Sequence, residues 1–361
     1  MNDALIKKAD AAIPHSYRRH TGRKKLILVA LLLLTLALAV IAVNAGASRI
    51  DPIQVIKAIA GLETGPTDIV IWNIRLPRVA AGLLAGAGLS AAGCVMQTCL
   101  RNPLASPSTL GISNAAAFGA NLAIAFFGAG SIQSNSADAV IVNNPYTITV
   151  SSFFFAVAAM LVILLLARLR GFSPESVVLA GVAFGSLFSA GSTLIQYFAQ
   201  DVQVAAMVYW TFGDLGRVSW KEVGILAILI VAALLYFMFR RWDYNALDSG
   251  EDAAKSLGVN VGRIRFGGML IASLITAVAV SFMGIIGFIG LIGPQIMRRV
   301  IGNDHRFLIP ASALTGAAIL LFSDTLARML ISPVVLPVGA ITSFFGAPLF
   351  LFLLARGYRR K

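Results

Sequence analysis

The chain has 361 residues, of which 58% are hydrophobic and only 12% charged, and a formal net charge of +13. So little polar surface cannot cover a soluble domain of that size, and the sequence reads as an integral membrane protein. The basic residues lie mostly beside apolar runs, where they mark topology rather than a nucleic-acid surface.

Residues 1–25 form a polar, basic tail containing Lys7, Lys8, Arg18, Arg19 and Arg23 to Lys25. The apolar run 26–43 that follows is ended by no clear small-residue cleavage pattern, so it reads as a retained first helix with a cytoplasmic N-terminus. Residues 26–361 then read as one transmembrane domain. Segment 44–75, with Pro52, Gly61 and Pro66, is expected outside, carrying one short interfacial helix.

Further spans are expected at 79–98, 111–128, 146–167, 176–198, 223–239, 266–286, 287–297, 307–327 and 336–355, which makes ten with the first. The eighth is too short to cross a bilayer as a helix, since a span needs about 20 residues. Alternating the sides places 22 of the 29 Lys and Arg residues in the cytoplasm, which predicts that both termini are cytoplasmic. Loop 129–145, rich in Gly, Ser and Asn, is expected outside.

Several stretches carry more than topology. No charge interrupts the residues between Arg78 and Arg101, and Gly82 and Gly86 stand at GxxxG spacing inside them. That spacing lets a neighbouring helix approach closely. Arg75 and Arg78, three apart at the outer mouth of this span, could both face outward and pair with carboxylates on a docking protein, or snorkel to lipid headgroups. In the fifth span Gly181, Gly185, Ser189, Ser192 and Gln196 recur at helical spacing, giving one small, polar face that either packs on a helix or lines a wet cavity. Gly339, Ser343 and Gly346 make a similar face on the tenth.

On the cytoplasmic side, 243–262 predicts a short helix capped by Ser249, with Glu251 and Asp252 in its first turn, Lys255 near its end and Gly258 as its stop. Cys94 and Cys99 lie too far apart on one helix for a disulfide, and His15, His20 and His305 are scattered without metal-ligand spacing. Gly250 with Lys255 and Ser256 is the nearest approach to a phosphate-binding loop, but Ala254 replaces the glycine before the lysine and no strand precedes it. An enzyme is not supported, because no nucleophile, base or carboxylate pair converges within the membrane. An ion-coupled secondary transporter would need midplane charges, yet Glu175 and Asp324 lie towards span ends.

RLPR at 75–78, RNPLA-x-P-x-x-LG-x-S from Arg101, LGV at 257–259, GFIGLIGP-x-I-x-R at 287–298, DHR at 304–306, D-x-x-AR at 324–328, LPVG at 336–339 and GAP-x-F at 346–350 together resemble the permease subunits of binding-protein-dependent ABC importers for iron-siderophore complexes, haem and vitamin B12. The resemblance implies an all-α membrane bundle of about ten helices, the type II importer permease fold, built on an inverted repeat and with a short eighth helix. It implies an inner-membrane homodimer, or a pair with a related permease, working with two ATP-binding subunits and a periplasmic or lipid-anchored binding protein. ATP would be hydrolysed in the partner subunits, with no cofactor or metal on this chain.

Residue by residue, the resemblance implies that Arg75, Arg78 and Arg328 receive carboxylates of the binding protein. Arg328 could instead pair with Asp324 one turn back. Glu251, Asp252, Ala254 and Leu257 would sit in a cleft of the ATPase. The stripe on the fifth span, with Gly339 and Ser343, would line the path, and Ser173 and Ser176 would stand at the inner gate. Ser106, Gln295 and Val335 depart from the pattern, where an acidic residue, a histidine and a glutamate are usual. An iron-siderophore complex is the cargo expected first, with vitamin B12 or haem behind it.

Overall fold

The computed structural model describes residues 15–46, 51–62, 65–127, 145–169, 173–332 and 334–355. Loop 129–144, most of the tail and the last six residues lie outside the described residues. The chain winds through α1 (His15–Asn44), α2 (Pro52–Ile59) and α3 (Pro66–Val70). A π-helical turn, Ile71–Arg75, then leads into α4 (Leu76–Cys99). Next come α5 (Ile112–Phe126), α6 (Pro145–Leu169), α7 (Pro174–Phe198), α8 (Asp201–Thr211) and α9 (Trp220–Phe239). After α10 (Arg241–Asp248) and α11 (Glu251–Ser256), the fold closes with α12 (Val261–Met283), α13 (Ile289–Ile301), α14 (His305–Met329) and α15 (Val338–Ala355).

Seven of these helices are long and apolar enough to cross a membrane, and α5 and α15 are shorter apolar helices. With α13 they account for the ten expected spans. The 13 residues of α13 reach about 20 Å at 1.5 Å per residue, well short of the hydrocarbon thickness. Its start packs against Leu89 and Gly93 in the middle of α4, so α13 is a half-span entered from inside the bundle.

Most of α4 is buried, and its main neighbours are α14, α12, α13 and α9. Small residues make this possible. A methyl built on Gly86 would lie 2.5 Å from the Gly316 carbonyl oxygen and 2.7 Å from the Ala317 Cα of α14, so backbone meets backbone, as the GxxxG spacing predicts. Gly93 meets the backbone of Gly290 on α13 in the same way. Cys94 and Cys99 are buried free thiols within the same core.

The helices that surround this spine are far less covered. Only Val177, Gly181 and Gly185 are buried along α7, and α1 exposes Leu26, Leu33 and Val40. Helix α8 was not expected from the sequence. It follows α7 directly and is closed by Arg217, which donates to the carbonyls of Tyr209, Trp210 and Phe212.

Candidate functional site

The bundle has two polar ends. At the first, α1 stops at Asn44 with its final carbonyls unpaired by the helix, as every helix end does. Arg75 donates to the carbonyls of Val43 and Asn44 at 2.9 and 3.0 Å, and Arg328 to those of Ala42 and Ala45. Two guanidiniums from other helices thus cap α1, where the helix dipole favours positive charge. Arg328 Nε also lies 3.0 Å from Asp324 Oδ2, the i, i+4 pair. Asp324 in turn meets Arg78 NH2 at 2.8 Å, and the same nitrogen reaches Asp214 Oδ1 at 3.1 Å.

The expectation that Arg75 and Arg78 face outward is corrected here: they are 4% and 9% exposed, and Arg328 is 6% exposed. Burial in a low-dielectric setting requires partners for each charge, and α1, α14 and the loop after α8 supply them. Nothing within the Arg75 to Arg78 motif reveals those partners, which come from segments distant in sequence.

The second feature is a groove of about 730 Å³ beside α7, lined by Ser108, Thr109, Asn114, Ser186, Ser189 and Thr193, with Gly181 and Gly185 on its floor. No charged side chain lines it. Gly181 and Gly185 are small because Leu110 and Gly111 press against them, and Asn114 donates to the Gly185 carbonyl at 3.1 Å. The expected stripe therefore divides. Its glycines pack on the start of α5 and Ser189 faces the groove, while Ser192 and Gln196 are half-buried and outside the lining. Ser186 and Thr193 take their places, residues that the small-residue spacing did not pick out.

The face of Gly339, Ser343 and Gly346 packs in part against the segment that leads into α13, while Gly339 and Ser343 stay half-buried. Gly339 abuts the Ile285 carbonyl, a methyl on Gly346 would lie 2.7 Å from Phe288 Cβ, and one on Gly287 would lie 2.9 Å from Ser343 Oγ. This is a packing seam between α15 and the start of α13. Ser173 caps α7: its hydroxyl accepts from the Ser176 amide at 3.2 Å and donates to the Ser176 hydroxyl at 3.0 Å.

At the opposite end, residues 241–258 form two helices rather than one. Ser249 ends α10 and Gly250, at φ 121°, begins α11, which corrects the expected Ser249 cap. Gly258, at φ 80°, stops α11 as expected. Ala254 is buried with Ala246, Leu247 and Val261, so it holds the two helices together instead of presenting a contact. Leu257 is 71% exposed and Asp252 is exposed. Glu251 lies 3.1 Å from both Lys255 Nζ and Arg265 NH2. Its carboxyl is held below the usual range, first by the hydrogen bond from Lys255 and then by Arg265.

A buried polar network ties these helices to the spine. The His305 ring bonds Thr98 and Asn245, each at 2.9 Å, and Arg298 donates to the Thr98 hydroxyl at 2.9 Å and to Asp248 at 3.5 Å. Burial pushes the Asp248 carboxyl up, against the opposing pull of Arg298. The ends of α4 and α13, the start of α14 and the whole of α10 are thereby joined.

The FecCD transport family model matches residues 31–356. The chain belongs to the FecCD transport family. It is 55% identical over 349 residues to a chain named as an ABC transporter permease in Methanocaldococcus jannaschii, covering 96% of this chain and 99% of that one. It is also 36% identical to the Fe(3+)-citrate import permease YfmE of Bacillus subtilis, over 95% of this chain and all of the other. A solved inward-facing metal-chelate type ABC transporter superposes with a TM-score of 0.77 at 29% identity, covering 92% of this chain and 100% of that one. The fold is therefore that of a type II importer permease.

As a FecCD protein the chain is a multi-span permease subunit of an ABC importer, and the ATP is used by a partner subunit. Among the described residues no group of His, Cys, Asp or Glu side chains assembles into a metal site. The FecCD departures from the expected pattern have local explanations in two cases. Ser106 closes a turn with Thr109, and Gln295 donates to Gln97 and to the Pro103 carbonyl at 3.3 and 2.9 Å. Asp214, Asn245, Asp248, Ser186 and Thr193 are among the site residues that motif reading missed, because each lies in a connection or on a face without a repeating signal.

Proposed function

We propose that this permease moves a ferric chelate of the siderophore class inward across the cytoplasmic membrane as a homodimer with both termini inside. The uncharged groove beside α7 carries the reading: hydroxyls, one amide, glycines and the small apolar side chains of Val182 and Ala190 suit a large, charge-masked cargo that must enter and leave without a fixed counter-charge. A volume near 730 Å³ falls within the range of pockets that enclose small organic ligands, about 300–1,000 Å³. The 36% identity to a ferric-citrate permease supports the same class.

In this reading the first end is extracytoplasmic, where Arg75, Arg78 and Arg328 receive carboxylates of a loaded binding protein. The opposite end is cytoplasmic, where Leu257, Asp252 and Glu251 meet the ATPase, with Ala254 supporting them from beneath. Ser189, together with Ser186 and Thr193, lines the path; Ser173 and Ser176 fix the inner start of α7 as part of the gate.

The test is uptake into proteoliposomes by the chain reassembled with its ATPase and binding protein, offered radiolabelled ferric citrate, a ferric hydroxamate chelate, haem and cyanocobalamin. ATP-dependent uptake of a ferric chelate, lost on Ser189→Trp while the protein still assembles, is the expected result. Uptake of haem or cobalamin alone would overturn the cargo, and uptake driven by a proton gradient without the ATPase would overturn the mechanism.

A further inference from the structure

The loop 212–217 is built around the Arg78 guanidinium. A methyl on Gly216 would lie 2.7 Å from Arg78 NH1, and Asp214 Oδ1 lies 3.1 Å from NH2 while also accepting from the Gly216 amide at 2.9 Å. The same loop is laid against two other helix ends. Asp214 donates its amide to the Met283 carbonyl at 2.8 Å, Phe212 pairs with Ile285, and the Val338 amide donates to the Gly213 carbonyl at 2.9 Å.

The loop is fastened to α8. Arg217 clips it to the last carbonyls of that helix, with its guanidinium 5.1 Å from the Tyr209 ring centre. Movement of Asp214 is thus movement of α8, which directly continues α7, the groove helix.

Arg78 has two carboxylate ligands of very different kind. Asp324 is 1% exposed, held on both oxygens by Arg78 and Arg328, whereas the Asp214 side chain is 28% exposed and hangs on a loop. An arriving carboxylate can compete for the second position and not for the first.

We infer that Asp214 is an internal, exchangeable ligand of Arg78 that tethers α8 to the spine, and that a carboxylate of the extracytoplasmic partner takes its place and releases α8. The tether stands on this chain's geometry alone; the exchange rests on the docking reading above. Asp214 is a positioning residue, acting through Arg78 and α8 rather than by touching cargo.

Hydrogen exchange on the full chain in lipid nanodiscs tests the tether. With Asp214→Asn, amides from α8 through 217 exchange about fivefold faster, the effect of losing about 1 kcal/mol, while α4 and α14 keep their protection. Unchanged exchange in that segment would overturn the tether, as would a uniform rise across the whole chain.

In the importer reassembled with its ATPase and binding protein, Asp214→Asn removes the internal competitor. The binding protein then dissociates on the order of threefold more slowly. Unchanged or faster dissociation, with docking otherwise intact, would overturn the exchange. Docking that survives charge reversal at both Arg75 and Arg328 would instead overturn the docking reading, and the exchange with it, leaving the hydrogen-exchange result to decide the tether.

Discussion

Gly86→Ala asks whether the contact between α4 and α14 is as close as the backbone positions require. The added methyl would sit 2.5 Å from the Gly316 oxygen, 2.8 Å from its carbonyl carbon and 2.7 Å from the Ala317 Cα. An ordinary carbon–oxygen approach is about 3.3 Å or more, so the helices must part by roughly 0.8 Å along that line. No rotamer change relieves it, because all three atoms are backbone. Overpacking of this kind costs about 1–3 kcal/mol, which for a chain of this length corresponds to a melting shift of about 1–4 °C. The measurement is thermal unfolding of the detergent-purified protein followed by size-exclusion fluorescence. Gly82→Ala, whose methyl meets the flexible Leu321 side chain at 3.0 Å, and Gly224→Ala, which meets nothing within 4 Å, are the graded controls. The expected order of melting is Gly86→Ala lowest, Gly82→Ala next and Gly224→Ala at or above the parent. A Gly86→Ala protein melting with Gly224→Ala would refute the reasoning.

Asp324→Asn removes the carboxylate shared by Arg78 and Arg328 in a buried site, where breaking such a pair costs about 3–5 kcal/mol; a marked loss of melting temperature is expected, partly recovered by adding Arg328→Gln, and no recovery would argue against a shared charge. Leu257→Ala should leave melting unchanged and lower cargo-stimulated ATPase activity in the reassembled importer, whereas Ala254→Leu, forced between α10 and α12, should lower both. A Leu257→Ala importer with full coupling would exclude that residue from the ATPase contact. The depressed Glu251 carboxyl contributes stability that is present above its unfolded pKa and lost as pH falls through the still lower folded value. Its ion pairs with Lys255 and Arg265 therefore persist across about pH 6–8. Hydrogen exchange of α11 should be unaffected over that range by anything traceable to Glu251, as a comparison with Glu251→Gln at each pH would show.

The ten-helix plan was legible because apolar length and flanking charge obey the bilayer, and α4 begins and ends within three residues of the span expected for it. The close approach at Gly86 was legible for a similar reason, since small-residue spacing has one dominant use between membrane helices. Helix α8 was not, because its 11 residues carry no apolar run of spanning length and its box of Gln200 and Gln203 is an uncommon cap. The Arg328–Asp324 pair was legible in the D-x-x-AR spacing, but the burial of Arg75 and Arg78 was invisible in their motif: their partners Val43, Asn44 and Asp214 are brought in by tertiary packing. The stripe on α7 misled because helix spacing defines a face but not its neighbour. Leu110, Gly111 and Asn114 cover two of its glycines, and the open side starts one residue along, at Ser186.

The two polar ends are mechanically unequal, and that bears on how such a chain can move. At the cytoplasmic end of the proposed orientation, α10 is bound through Asn245, Asp248, Arg298, His305 and Thr98 to the very helices that make up the spine, and α11 packs on it through Ala254. Those helices meet backbone to backbone at Gly86 and Gly93, contacts with no slack to absorb a push, because packed interiors shift between discrete arrangements rather than deform continuously. A force applied at Leu257 is therefore delivered to α4, α13 and α14 as a body. Around them, α7 buries little of itself within the chain, and α8 with its loop is fixed partly through the half-exposed Asp214 carboxylate. Segments with few buried contacts are the ones that open at low free-energy cost. Relative motion should thus concentrate at α8, and at α7 and the start of α5, whose residues line the groove, so that the groove can widen or close without any helix of the spine bending.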